Sequence, residues 1–373
     1  MKGKIGEIQI LRGFAILAVV LIHLFNLGLT NVKAGMNGYW FFQIAHSLFQ
    51  FAVPCFILIS SITLAYTNQQ GIINYKRFYI SKFKRLVIPF FMWTFFFLIV
   101  KFIFNLSPEV SKLYQLNSFV KGQLLSVDNW VQWLLFGKAY THLYFMSIMI
   151  QFVIMAPMLL WLVRWITNKF KERSFAAVLY MAVLPQIAIY WINRLYIYSR
   201  FKYTATMLIW YWCILILGLW IGLNYKKFVC KISEFKYWII SASVVFAIIY
   251  IWYRIAIIKG EPISTFYYQM IYYLYVILAS LSAFILSISM YDKRKVLSKY
   301  LNLIGRYSFG IYLMHPVITL IMSKIVKTSN VFFLVTTIFI GVLIIMFVCV
   351  NITKRLEACK YTSFLVGKYQ KNR

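Results

Sequence analysis

Two residues of the first apolar segment, Arg12 and His23, have types and a spacing that could support chemistry within a membrane. The two residues are 11 positions apart. On an α-helix, this separation is a rotation of about 20° past three full turns, so both side chains lie on one stripe, about 16 Å apart along the axis. Asn26 extends the stripe beyond His23. A guanidinium is always charged, and an imidazole exchanges a proton near neutral pH. The pattern therefore predicts an anion-binding group and an acid–base group on one helix.

The same stripe also has a purely structural interpretation. The long side chain of Arg12 could reach the membrane surface, and His23 could be a hydrogen-bonded packing residue. Against this, an arginine within a span costs several kcal/mol unless it faces a cavity or a partner. The helix by itself leaves both interpretations open.

A cluster of basic residues that ends in Lys82 and Arg85 precedes the third apolar segment. Residues three apart lie on one helical face, where lysine and the two-pronged guanidinium of arginine suit phosphate groups. Clusters of this kind also fix membrane topology and contact lipid headgroups without binding a substrate. Taken alone, this cluster favours the lipid interpretation.

The other histidines also map to apolar segments or to their ends. His46 begins the second segment, where we expect it at the membrane interface, and His142 begins the fourth. His315 shares a helical face with Tyr312, and the following Pro316 can leave backbone carbonyl groups without helical partners. A single histidine in a span is more often a packing residue. By themselves, His142 and His315 therefore favour a packing role over a functional one.

Acidic residues and cysteines narrow the possible chemistry. The 8 Asp and Glu residues all fall in loops or at the ends of apolar segments. The sequence therefore provides no intramembrane carboxylates for a proton relay through the membrane. The 5 cysteines show no CxxC spacing, which predicts neither a zinc site nor a redox pair. We therefore expect no metal in the site.

The elements that must position these residues are membrane helices. The chain of 373 residues is 62% hydrophobic and 13% charged, against roughly 45–50% and 25% in soluble domains. A spanning helix needs about 20 mostly apolar residues. The segments that meet this length are 8–29, 44–66, 86–106, 143–163, 175–193, 207–223, 237–258, 267–290, 307–325 and 331–352. They predict an all-α polytopic membrane protein with about ten transmembrane helices.

The net charge of +31 would suggest a nucleic acid partner if it lay on a soluble domain. Here the basic residues lie in the connections between the apolar segments. Most of them fall in the connections that share the N-terminus's side of the membrane, and the positive-inside rule assigns that side to the cytoplasm. We therefore expect no nucleic acid partner and both termini in the cytoplasm. Residues 1–373 are predicted to form one integral membrane domain that spans the membrane over about 8–352, with a basic cytoplasmic tail at 353–373.

Taken together, these motifs resemble the acyltransferase 3 family of integral membrane acyltransferases. The residues that carry the resemblance are Arg12 and His23, the second-span segment around Pro54 and Cys55, Lys82 and Arg85, the His142–Phe145 segment and the Tyr312–Pro316 segment. The resemblance covers essentially the whole chain. Within the family, the Pro-Cys segment and the residues around Gln151 look most similar to the intercellular-adhesin branch.

The resemblance implies a membrane O-acyltransferase of a bacterial plasma membrane. Such an enzyme moves an acyl group, usually acetyl, from acyl-CoA to a hydroxyl of a cell-surface glycan, with acetyl-CoA as co-substrate and no permanently bound cofactor. Arg12 and His23 would be catalytic, and Lys82, Arg85 and Arg12 would hold the coenzyme. Substrate-side or supporting roles fall to His142, Tyr312, His315, Asn26 and Gln151. Expected partners are membrane lipids, the glycan or polysaccharide acceptor and the glycan-synthesis machinery.

Two points stay open at the level of sequence. His23 could act as a base or as a nucleophile, and an exporter or flippase of polysaccharide or lipid-linked glycan is the alternative to the transferase. An exporter has no evident need for the Arg12 and His23 stripe, which favours the transferase. Lys82 stands where the family pattern has an arginine, so one of the two expected phosphate forks is weaker.

Overall fold

The computed structural model describes residues 5–69, 74–106, 112–293 and 296–369, and within these ranges the chain forms helices and turns but no strand. The α-helices are α1 Gly6–Asn31, α2 Tyr39–Leu48, α3 Ala52–Thr67, α4 Tyr75–Lys82, α5 Ile88–Phe104, α6 Lys112–Phe119, α7 Val127–Phe136, α8 Tyr144–Phe170, α9 Ser174–Ile192, α10 Trp212–Leu223, α11 Tyr225–Glu234, α12 Lys236–Ile258, α13 Thr265–Lys293, α14 Val296–Arg306, α15 Ser308–Ile325 and α16 Val331–Ala358. The all-α prediction is confirmed.

Eight helical segments in the described ranges are long and apolar enough to cross a membrane, or nine if the bent pair Leu208–Leu223 and Tyr225–Glu234 is counted as one span. The predicted fourth and fifth spans fall within one of the eight, the 54-residue run Tyr144–Ile197. A straight helix of that length would measure about 81 Å, well beyond a hydrocarbon core of about 30 Å. Lys171 has a φ of 45°, which interrupts the right-handed helix between α8 and α9. Each of these two helices is long enough to cross by itself.

The chain folds into two compact units, each assembled from segments that are distant in sequence. The first unit consists of Met1–Gly71, Leu162–Leu184 and Cys213–Lys354, and the second of Ile72–Trp161, Pro185–Trp212 and Arg355–Arg373. Among the predicted site residues, the first unit contains Arg12, His23, Asn26, Tyr312 and His315, and the second contains Lys82, Arg85, His142 and Gln151.

Helix α1 forms the centre of the first unit. It packs against α2, α3, α13, α14 and α15, and Leu11, Ile16 and Leu24 are completely buried along its length. Burial of such side chains stabilises the packing by roughly 1.5–3 kcal/mol each in water, whereas within lipid the close fit of the helices takes over that role. The backbone that carries Arg12 and His23 is therefore held from several sides.

Two glycines allow α1 and α14 to approach closely. A Cβ atom on Gly13 would lie 2.3 Å from the carbonyl oxygen of Leu301, and one on Gly305 would lie 1.8 Å from the carbonyl oxygen of Gln9. Neither backbone oxygen can move without shifting its helix. Small residues at such contacts are typical of membrane helices, whose association depends on close backbone packing.

We expect Gly305→Ala to destabilise the protein although alanine is the better helix former. Its methyl group would overlap the carbonyl of Gln9 and force α1 away from α14, at a cost of about 1–3 kcal/mol. The thermal midpoint of the purified protein in detergent should fall by several degrees. Gly122→Ala is the matched control, because no atom lies within 4 Å of the added methyl. Equal midpoints for both variants would contradict the proposed close contact.

Candidate active site

The structure brings two of the predicted site residues, His23 and His315, into direct contact. The centres of their imidazole rings are 5.0 Å apart, and the ring planes are inclined by 52°. His23 belongs to α1 and is partly exposed, whereas His315 belongs to α15 and is completely buried. Two neutral imidazoles at this distance can share a hydrogen bond and pass a proton, which makes the pair a candidate acid–base centre.

The local sequence of α15 explains how His315 is oriented. Its Nδ1 lies 3.0 Å from the carbonyl oxygen of Ile311, and because a carbonyl only accepts, Nδ1–H is the donor. The ring also approaches the carbonyl of Tyr312, to which Pro316, four residues further on, cannot donate because it lacks an N–H. With the proton on Nδ1, the Nε2 atom of His315 is an acceptor. The Tyr312 ring packs 6.3 Å from that of His315, so this predicted neighbour also lies at the pair.

A third histidine, His46 in α2, lies near the pair. It is close enough to His23 for their charges to interact, and the side-chain amide of Gln50 lies 3.3 Å from its Nδ1. The sequence position of His46 predicted only a place at the membrane interface, without a role in the site. The short connection between α1 and α2 is the signal that could have found it, because helices joined in this way are neighbours in space.

Arg12 lies at the other end of the stripe, where its Nη2 donates to Oγ1 of Thr63 over 3.5 Å. The carboxylate of Glu7, five residues before Arg12, accepts a hydrogen bond from the Tyr225 hydroxyl over 2.8 Å. Arg12 forms no ion pair in the described part of the chain, so no carboxylate neutralises it. Its guanidinium is therefore suited to hold an anion.

Asn26 departs from the expected stripe. Its side chain is exposed, whereas that of His23 on the same helix is only partly exposed. Three residues on a helix correspond to 300°, which turns Asn26 about 60° away from His23 and onto the flank of α1. The polar stripe therefore does not continue as a buried surface beyond His23.

In the second unit, Lys82 and Arg85 belong to consecutive turns of one helical segment. Lys82 ends α4 and is half-buried, with its ammonium group 5.8 Å from the centre of the Phe78 ring. Arg85 is exposed in the π-helical turn Phe83–Val87 that continues into α5. Such a wide turn inside a helix is frequently found at functional sites.

His142 and Gln151 have structural partners within the second unit. His142 is buried edge-on against Phe97, with ring centres 4.8 Å apart, and Tyr140 completes this aromatic cluster. Burial raises the pKa of Tyr140. The Gln151 amide donates to the carbonyl of Thr206 and accepts from the N–H of Leu208, each over 2.9 Å. These bonds fix the segment before α10.

Comparison with known protein families decides the assignment. The acyltransferase 3 family, described as an acyltransferase domain, matches residues 5–353. The chain belongs to the acyltransferase 3 family. Its matched region includes all nine predicted site residues and most of both units, but not the Arg355–Arg373 segment of the second unit. No characterised protein and no solved structure matches the chain with significant similarity.

In this acyltransferase, Arg254 also lies near the histidines, which its sequence position did not predict. Arg254 of α12 is close enough to His46 for their charges to interact, and its Nη1 donates to the Tyr268 hydroxyl over 3.3 Å. From sequence, Arg254 looks like the other basic residues at the ends of spans. Only the packing of α12 against α2 distinguishes it.

Proposed function

We propose that this membrane acyltransferase transfers an acetyl group from acetyl-CoA to a hydroxyl of a cell-surface glycan in a bacterial plasma membrane. The observation that carries the proposal is the contact between His23 and His315 within an acyltransferase domain. The glycan acceptor is drawn from the resemblance to the intercellular-adhesin branch. The experiment that tests the proposal measures the release of free CoA from acetyl-CoA by purified protein, with and without a glycan acceptor.

In the proposed reaction, His23 acts on the acceptor and His315 orients His23. During the reaction, Nε2 of His315 would accept a hydrogen bond from one ring nitrogen of His23, which would leave the other nitrogen as the base. This nitrogen takes the proton of the acceptor hydroxyl as the oxygen attacks the thioester carbonyl. The C–S bond then breaks, and the proton passes to the thiolate of CoA. If His23 is instead the nucleophile, its nitrogen attacks the thioester carbonyl, the C–S bond breaks and CoA leaves as the thiolate. The acceptor hydroxyl then attacks the acetyl group, the C–N bond to His23 breaks, and the hydroxyl proton passes to the thiolate.

Coenzyme binding is assigned in the proposal to Arg12, Lys82 and Arg85. CoA carries several phosphate charges, and arginine binds phosphate through two parallel hydrogen bonds. Arg12 has no carboxylate partner in the described ranges, and Arg85 is exposed to solvent or lipid headgroups. These properties support a role in anion binding.

We expect the double substitution Lys82→Gln with Arg85→Gln to raise the KM for acetyl-CoA about tenfold, since charge-assisted hydrogen bonds at a partly exposed site are lost. The value of kcat should change little, because these residues bind the coenzyme away from the reacting atoms. Initial rates of CoA release at varied acetyl-CoA check this. Lys84→Gln removes an exposed charge from the same turn and is the control. An equal rise in KM for that variant would indicate a general effect of surface charge.

A deletion strain separates the transferase from the exporter. Loss of the transferase leaves a normal amount of surface glycan without its ester groups, and mass analysis of the polysaccharide detects this. Loss of an exporter traps glycan inside the cell. Intracellular accumulation of the glycan, with esters unchanged on the exported fraction, would overturn the proposed function.

A further inference from the structure

The guanidinium of Arg254 lies in a membrane-spanning helix and makes few bonds to its surroundings. Its Nη1 donates to Tyr268, whereas its Nε is buried without a hydrogen-bond partner. No ion pair involves Arg254 in the described ranges, although a charged guanidinium inside a membrane is costly. Unpaired cations of this kind mark substrate or ion sites in membrane proteins.

The surroundings of Arg254 are rigid and aromatic. Tyr250 is buried and stacks on Tyr275, with ring centres 5.1 Å apart and planes inclined by 12°. The rings of Tyr268 and Tyr272 pack against Tyr250 at 5.8 and 5.5 Å and are partly exposed. The buried pair therefore fixes Tyr268, and with it the hydrogen bond to Arg254. A guanidinium held in place in this way loses little entropy when it binds a ligand.

Arg254 lies near the histidines and not near Arg12, the α1 residue assigned to coenzyme binding. Arg254 lies on α12, which packs against α2, and His46 of α2 lies near both Arg254 and His23. Arg12, assigned above to coenzyme binding, lies about 16 Å from His23 along the axis of α1. Another cation, Lys259, directly follows α12, and its ammonium group lies 5.8 Å from the centre of the Trp40 ring of α2. The histidine end of the first unit is therefore cationic and aromatic.

We propose that Arg254 binds the carboxylate of an acidic sugar, which would make the acceptor of this enzyme an anionic glycan. The inference rests on the proposed function. The guanidinium would hold the carboxylate through charge-assisted hydrogen bonds, and the partly exposed rings of Tyr268 and Tyr272 would contact the sugar. A hydroxyl of the same or a neighbouring sugar would then lie near His23. A lipid headgroup would use the charge of Arg254 but has no sugar ring for the tyrosines.

The test measures binding without acetyl-CoA, using full-length protein in nanodiscs of zwitterionic lipid. The probes are trigalacturonate and its fully methyl-esterified form, which has the same sugars without the charges. We expect the wild-type protein to bind the acid at least about tenfold more tightly than the ester, and Arg254→Gln to lose this preference. Arg254→Lys should retain part of it, and Tyr268→Phe should bind the acid several-fold more weakly. The control Arg200→Gln removes an exposed charge and should bind like the wild type.

Several outcomes would overturn the inference. Equal binding of acid and ester by the wild type would do so, as would an unchanged preference in Arg254→Gln with a normal thermal midpoint. If Arg254→Gln instead weakens only the binding of phosphatidylglycerol, the site holds a lipid headgroup. If a neutral glycan supports CoA release but the wild-type protein does not prefer the acid to its ester, this inference is wrong and the proposed function stands. Selective acid binding by Arg254 without acceptor-dependent CoA release would remove the proposed function instead.

Discussion

Replacement of His23 by alanine is expected to abolish acceptor-dependent release of CoA. A general base contributes about 10²- to 10⁴-fold to such a reaction, and loss of a covalent nucleophile would cost at least as much. The neighbouring His315 cannot take over, because its Nδ1 proton is committed to the carbonyl of Ile311 and the side chain is completely buried. The measurement is kcat for CoA release by purified protein at saturating acetyl-CoA and acceptor.

The control for this variant is Leu21→Ala, which shortens a partly exposed side chain on the same helix. It should retain near wild-type turnover, and both variants should elute as the wild type does in size-exclusion chromatography. Single-turnover experiments without acceptor separate the two roles of His23. A burst of one CoA per enzyme indicates an acetylated histidine, whereas no burst indicates a base. Turnover of His23→Ala at the wild-type rate would refute both roles.

The relation between Arg12 and His23 could be predicted from the sequence because it depends only on the geometry of one helix. The same holds for Tyr312 and His315, which are three residues apart on α15. The contact between His23 and His315 could not be predicted in this way, because it depends on how α1 packs against α15. The family resemblance suggested both residues but gave no distance between them.

The missed residues, His46 and Arg254, show the limit of reasoning from single helices. Each is an ordinary polar residue near the end of an apolar segment, and its relation to His23 arises only when α2 and α12 pack together in the first unit. The amphipathic helix α14 was also missed, because 11 residues are too few to span a membrane. Its packing against α1 nevertheless helps to hold the site residues in place.

The second large effect is expected at His315, and the choice of amide separates its two nitrogen atoms. Asparagine places its N–H₂ group near the position of Nδ1, where it can still donate to Ile311, but it offers nothing at Nε2. Glutamine reaches the position of Nε2, where its oxygen can accept a hydrogen bond from His23. If His315 orients His23, His315→Asn should lower kcat about 10- to 100-fold, as loss of an orienting partner does elsewhere, and His315→Gln should recover part of that loss.

A merely structural role for His315 gives a different result. The bond to Ile311 would then matter most, so His315→Asn would be the more stable and more active variant and His315→Gln the worse one. Thermal midpoints measured beside kcat distinguish the cases, and the KM for acetyl-CoA should stay unchanged in both variants if His315 acts only through His23. A kcat for His315→Asn equal to that of the wild type would contradict the orienting role. His23 would then have to be held by other groups, of which His46 is a candidate because it lies near His23.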